Sequence, residues 1–169
     1  MKRTLQQILA GTALATLLLT ACAKKKNETG SPVLPPDQTK ALIADGAWIF
    51  QHETVVYGPD EVDHGGGDAC KLDDTWRFDL SGDATVTWGA NDCFSGFLIP
   101  AGTYGSWLLR QNGSELQLTY DRYMPGGYAP GDVVVWSIDF LSDRKMVLKR
   151  TVSEPGKTYL VYDTYVKGS

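Results

Sequence analysis

The sequence predicts an all-β domain: an antiparallel up-and-down eight-stranded barrel entered through a short N-terminal helical turn. Three observations carry this. Apolar and polar residues alternate with period two in segment after segment, the mark of a strand with one buried face. Most of these segments are joined by short turn-forming sequences, which pairs neighbours antiparallel in sequence order. Eight such segments fit within about 120 residues. An open meander of eight strands would leave two long edges exposed, and closure into a barrel removes them. A sandwich of two sheets fits the same strand count.

Thr39 to Asp45 makes the helical turn, with Leu42 and Ile43 facing inward. Trp48 to Tyr57 is the first strand. In the second, Trp76, Phe78 and Leu80 alternate with Thr75, Arg77 and Asp79. In the third, Ala84, Val86 and Trp88 alternate with Thr85 and Thr87. Gly102 to Arg110 is the fourth, and Asn112-Gly113 marks the hairpin turn after it. Leu116, Leu118 and Tyr120 alternate with Gln117 and Thr119 in the fifth. Val133 to Leu141 is longer and apolar. Ser142-Asp143 turns into Met146 to Val152, and Pro155-Gly156 turns into Tyr159 to Val166.

The sequence begins with a targeting pattern. Lys2 and Arg3 precede an apolar run from Ile8 to Leu19, and Leu19-Thr20-Ala21-Cys22 follows. A charged start, a short apolar stretch and small residues at the cleavage point form a secretory signal. The run is too short to span a bilayer, which takes about 20 apolar residues. The terminal cysteine makes the segment resemble the lipobox of bacterial lipoproteins, whose cysteine is lipidated and becomes the first mature residue. The expected organisation is a signal peptide over 1–21, a lipidated flexible tether over 22–38, and the barrel domain over 39–169. The tether is polar, with Lys24 to Lys26 and Pro32, Pro35 and Pro36.

Cleavage would remove two basic and no acidic residues, taking the net charge from -4 to -6. That balance argues against nucleic acid as a partner, which selects clustered Lys and Arg. Three cysteines leave one over in an exported protein. Lipidation at Cys22 resolves the count, because Cys70 and Cys93 then remain to pair in an oxidising compartment. Pairing Trp76 with Trp88, Phe78 with Val86 and Leu80 with Ala84 gives residue numbers summing to 164. Cys70 and Cys93 sum to 163, one residue from that register, so a bridge would clamp the open end of this hairpin. Two cysteines alone make an incomplete metal site, and His64 does not complete a zinc spacing.

Gly46-Ala47-Trp48, opening the first strand after a helical turn, resembles the G-x-W signature of lipocalins. Cys70-Lys71-Leu72-Asp73-Asp74-Thr75-Trp76-Arg77-Phe78, then Gly82, then Cys93, is similar to the C-x-x-D-D-x-W-x-F…G…C pattern of lipocalin-like lipoproteins of Bacteroidetes. Gly105-Ser106-Trp107 resembles the second G-x-W that the family carries in mid-sequence, and Met146-Val147-Leu148-Lys149 resembles its late strand. The resemblance covers about residues 39 to 166 and implies a small lipocalin-like β-barrel on a lipid anchor, with no ligand attached to it. The Gly- and Pro-rich insert from Tyr123 to Asp132 departs from the family and falls at the barrel mouth.

No catalytic motif stands out, and no enzyme activity, cofactor or metal is expected. His64-Gly65-Gly66-Gly67 is similar to an esterase oxyanion loop, but no G-x-S-x-G elbow accompanies it. Asp60, Glu61, Asp63, Asp68, Asp73 and Asp74 crowd one loop without the order of a calcium loop; a solvated loop, or bonds from Asp73 and Asp74 to backbone N–H groups, accounts for them. Trp48, Trp76, Phe78, Val86, Trp88, Trp107 and Trp136 are the tentative ligand-lining set, and Tyr162 joins the aromatics. They line an apolar pocket or fill the barrel. Tyr120, Tyr123 and Tyr128 flank the Met124-Pro125-Gly126-Gly127 loop, as rim candidates or as exposed turn residues. The expected partners are a membrane, through the lipid anchor, and a small apolar or amphipathic ligand. The alternative is a filled barrel serving as an envelope structural or interaction protein. The residues after Cys22 lack the acidic run of a surface-export signal, so an outer-membrane anchor facing the periplasm is favoured over the cell surface.

Overall fold

The structure is a computed structural model that describes residues 34–58, 60–63 (as backbone), 71–90, 101–123 and 127–168. Among the described residues one α-helix, α1 (Pro36–Ala44), leads into nine strands: β1 (Ala47–Tyr57), β2 (Asp60–Asp63), β3 (Thr75–Phe78), β4 (Asp83–Thr87), β5 (Gly102–Arg110), β6 (Glu115–Tyr120), β7 (Val133–Leu141), β8 (Lys145–Glu154) and β9 (Lys157–Lys167). All pairings are antiparallel, and β9 returns to pair with β1 along most of its length. The sheet is therefore a closed eight-stranded barrel. The ninth strand does not add a position. β2 pairs with Thr54 to Tyr57 of β1, and β3 pairs with Ala47 to Ile49, so the two share the second place in the wall.

The sequence pattern explains the wall. Inward positions carry Phe78, Ala84, Val86, Trp107, Leu116, Leu118, Met146 and Leu148, all buried. Outward positions carry Arg77, Thr85, Ser106, Gln117, Ser137 and Lys149. An outward face of this composition suits water, whereas lipid-facing barrel walls are apolar.

The two ends of the barrel differ. Tight turns at 79–82, 111–114 and 142–144 gather at one end, and α1 packs there against the 111–113 turn and β3. Pro36 opens α1, where its missing N–H costs nothing. Ile43 is buried at the helix's end, as expected, and its carbonyl accepts from Trp48 Nε1 at 2.8 Å. The connections at 88–101 and 121–132 leave from the other end, here called the loop end.

Two details of the second hairpin differ from expectation. Residue numbers in the β3–β4 register sum to 162: Trp76 faces Val86 and Phe78 faces Ala84. A shift of two preserves which face each side chain occupies, so the core is unchanged. Leu80, expected inside, is 64 % exposed in the turn. Asp79 makes that turn tight: its Oδ1 accepts from the Ser81 hydroxyl and the backbone N–H groups of Gly82 and Asp83. Those bonds hold the Asp79 carboxyl below the usual aspartate range. The backbone reverses before Leu80 can take an inward place.

The Asp73-Asp74 pair bonds to backbone, as expected. Asp74 Oδ1 accepts from Gly89 N at 3.0 Å, and Asp73 Oδ2 accepts from Ala90 N at 2.7 Å. Together they fasten the segment leaving β4 to the segment entering β3. A Cβ at Gly89 would overlap the Asp73 carboxylate and push it aside. Gly105 lies as close to β6, where a Cβ would overlap the Thr119 carbonyl. The later part of the insert, 127–132, folds back on β6: Gly131 N donates to Tyr120 O, Tyr120 N to Asp132 O, and the Tyr128 ring stacks on Tyr120 at 4.8 Å.

Candidate functional site

The seven residues expected to line a pocket divide by depth. Trp48, Phe78 and Trp107 lie at the helix end. Trp107 Nε1 donates to Asp79 O at 2.8 Å, and its ring meets Phe78 edge-on at 5.5 Å. Trp76 stacks on Phe78 at 6.2 Å, and Val86 is fully buried beside them. These residues are packed core at the barrel's closed end. Trp88, just past β4, meets Tyr104 edge-on at 5.4 Å towards the loop end. Trp136, on β7, is the member that reaches a polar group of the interior.

That polar group escaped the sequence reading. The β8–β9 register places Leu148 opposite Asp163 and Arg150 opposite Val161, on the inward face. The β9–β1 register places Asp163 opposite Glu53. Extending the β7–β8 register by one pair sets Trp136 opposite Arg150. Glu53, Arg150, Asp163 and Trp136 therefore meet midway along their strands, inside the wall. Arg150 Nη2 lies 3.8 Å from Glu53 Oε2, an ion pair too long for a hydrogen bond. The two side chains are 29 % and 32 % exposed, although both face inward. Asp163 is 7 % exposed.

Electrostatics single out Asp163. Burial penalises its charged form and raises its pKa to about 6; Arg150 opposes the shift, Glu53 adds to it, and Trp136 Nε1 and Lys71 oppose it more weakly. The indole nitrogen faces the carboxylate as a donor without reaching full hydrogen-bond geometry, and Arg150 Nε meets no acceptor. Two tyrosines close the surround. Burial holds the Tyr165 phenol well above its usual range, with Asp163 and Tyr120 adding to the shift. Burial likewise raises Tyr120, helped by Tyr128. Both are neutral hydroxyls at any physiological pH. Phe50 meets Tyr165 edge-on at 5.6 Å.

Among the described residues, the wall beside this group is interrupted. Between Ile49, paired with β3, and Thr54, paired with β2, β1 makes no ladder on that side among the described residues, except Phe50 N to Asp74 O at 3.4 Å. The break lies beside Glu53.

Alternation in β8 and β9 carried a legible signal for two of these residues. Met146, Leu148, Arg150 and Val152 share one face, as do Val161, Asp163 and Tyr165. Glu53 carried none, because a bulge between Phe50 and His52 changes which residues of β1 point inward.

Cys22, Cys70, Cys93 and His64 to Gly67 lie outside the described residues. Of the rim candidates, Tyr120 is buried inside and Tyr123 is exposed. Among the described residues, no three His, Cys, Asp or Glu side chains gather as a metal site. No protein-family model matches the sequence, and no curated protein matches it.

Proposed function

We propose that this protein is an exported, lipid-anchored barrel that binds a small amphipathic molecule within its interior. The observation that carries the reading is the Glu53–Arg150–Asp163 group. A barrel that only needed filling would place apolar side chains there, because removing ions from water is costly and a long ion pair recovers little of it. Two inward-facing charged side chains that keep about a third of their surface accessible suit a site that meets a ligand's polar end. Ligand sites pair apolar lining with a few placed polar groups, and inward Val55 and Val161, on the loop-end side of the group, supply the former. The lipobox-like Leu19-Thr20-Ala21-Cys22 and the lipocalin-like pattern of residues 39 to 166 support the anchor and the barrel's class. A membrane surface would supply amphipathic molecules at high local concentration.

The test is saturable binding. Mature protein titrated with a fluorescent apolar probe should show one saturating site and quenching of tryptophan emission, with Trp88→Ala altering the affinity. Membrane partition should be lost on Cys22→Ala, together with acyl labelling. A probe that never saturates would leave the second reading, an envelope structural or interaction protein. The full burial of Trp48, Tyr104, Leu116 and Met146 favours that alternative.

A further inference from the structure

Resting on the binding reading above, we propose that the ligand's polar end is uncharged and carries a hydroxyl or amide. Its oxygen would accept from Arg150, and its hydrogen would be donated to Asp163 or Glu53. The unpaired groups dictate this. Arg150 brings five N–H donors into the barrel. Among the described residues its one ion pair within 4 Å is the 3.8 Å approach to Glu53, and its Nε is buried without an acceptor. Trp136 Nε1, in a residue only 8 % exposed, is a second buried donor, facing the Asp163 carboxylate without reaching full hydrogen-bond geometry. Donors in this state call for an oxygen.

Charge then decides which oxygen. Two carboxylates and one guanidinium face each other here, with Lys71 contributing more weakly. A carboxylate or phosphate head would answer Arg150 but stand against Glu53 and Asp163 in a poorly solvated site. An ammonium head would answer the carboxylates but offer Arg150 and Trp136 no acceptor. A hydroxyl or amide offers acceptor and donor together and adds no charge. The next inward residues toward the loop end are Val55 and Val161. The apolar tail would pass them while the head rests deeper.

The experiment compares ligands with one tail and different heads. Decanol, decanamide, decanoate and decyltrimethylammonium would compete against a fluorescent apolar probe on the mature protein at neutral pH. The neutral pair should bind about tenfold tighter than either ion, the difference expected from one charge-assisted hydrogen bond. Arg150→Met removes the donor and the site's main cation, so decanol should lose its advantage over decyltrimethylammonium while decanoate binds more weakly still. Trp136→Phe keeps an aromatic ring, although a smaller one, and removes the donor, so it tests the same point if Arg150→Met fails to fold. A charged head binding as tightly as decanol would overturn the proposal. So would four equal affinities, which would leave ligand binding itself intact, or a preference unchanged in Trp136→Phe. If neither the probe nor any of the four binds, the binding reading fails with it.

Discussion

Lys167 lies over the indole of Trp48, its Nζ 5.6 Å from the ring centroid and 2.9 Å from Asp45 Oδ2. The last residue of β9 thus covers the first inward side chain of β1 and is tied to the residue after α1. Trp48 Nε1 is bonded in turn to Ile43 O. Helix, first strand and last strand meet on one ring at the end where the barrel closes.

Removing that ring should cost more than any other single truncation at the helix end. Trp48→Ala is expected to destabilise the domain by about 3–5 kcal/mol, the usual range for a buried aromatic. Trp48→Phe, which keeps a smaller ring and loses the bond to Ile43, should cost less. Urea denaturation followed by far-UV circular dichroism measures both. Equal losses for the two would show that the ring's size matters less than its nitrogen.

The fastening of β3 to the end of β4 gives a second expectation. Gly89→Ala would drive a methyl into the Asp73 carboxylate. Asp74→Ala would leave Gly89 N without its acceptor in a partly buried place. Each should destabilise by about 1–3 kcal/mol, and the two should be strongly non-additive in a double mutant because they break one junction. Thermal melts of the four proteins test this, and simple additivity would count against a shared junction.

Asp163 makes stability depend on pH in a stated direction. Its folded pKa, about 6, lies above the ordinary 3.8. The native state therefore holds this proton more tightly than the unfolded state does. The resulting stabilisation is fully present below 3.8 and is lost as pH rises through about 6. A shift of this size corresponds to about 3 kcal/mol. Asp163→Asn mimics the protonated form, so it should match the wild type in acid and exceed it above neutrality. Denaturation midpoints of the two proteins across this range check it. A difference that does not grow with pH would contradict the assignment.

The cysteines are open to direct measurement. Cys70 and Cys93 sum to 163, one from the observed register of 162 as from the expected 164. Peptide mapping of unreduced protein from an oxidising compartment should show them linked. Reduction should then lower stability by about 3 kcal/mol, the effect of closing a loop of such length. Two free thiols would refute the pairing.

Local chemistry settled much of this protein in advance. Alternation in Trp76-Arg77-Phe78, in Ala84-Thr85-Val86 and in Leu116-Gln117-Leu118 named strands and inward faces. A slip of two residues in one hairpin register left those faces intact, because the side-chain period is two. Asn112-Gly113, Ser142-Asp143 and Pro155-Gly156 marked turns that the structure makes. Three things needed the closed barrel. β2 and β3 share one place in the wall because both pair with β1, which is a long-range fact. The bulge after Phe50 switches the inward face of β1 to Glu53 and Val55, and a bulge is defined only by the partner strand that it opposes. Glu53, Arg150 and Asp163 become neighbours only when β9 closes onto β1. Side-chain period is written in a strand's own sequence; which strand it meets, and in what register, is decided by closure.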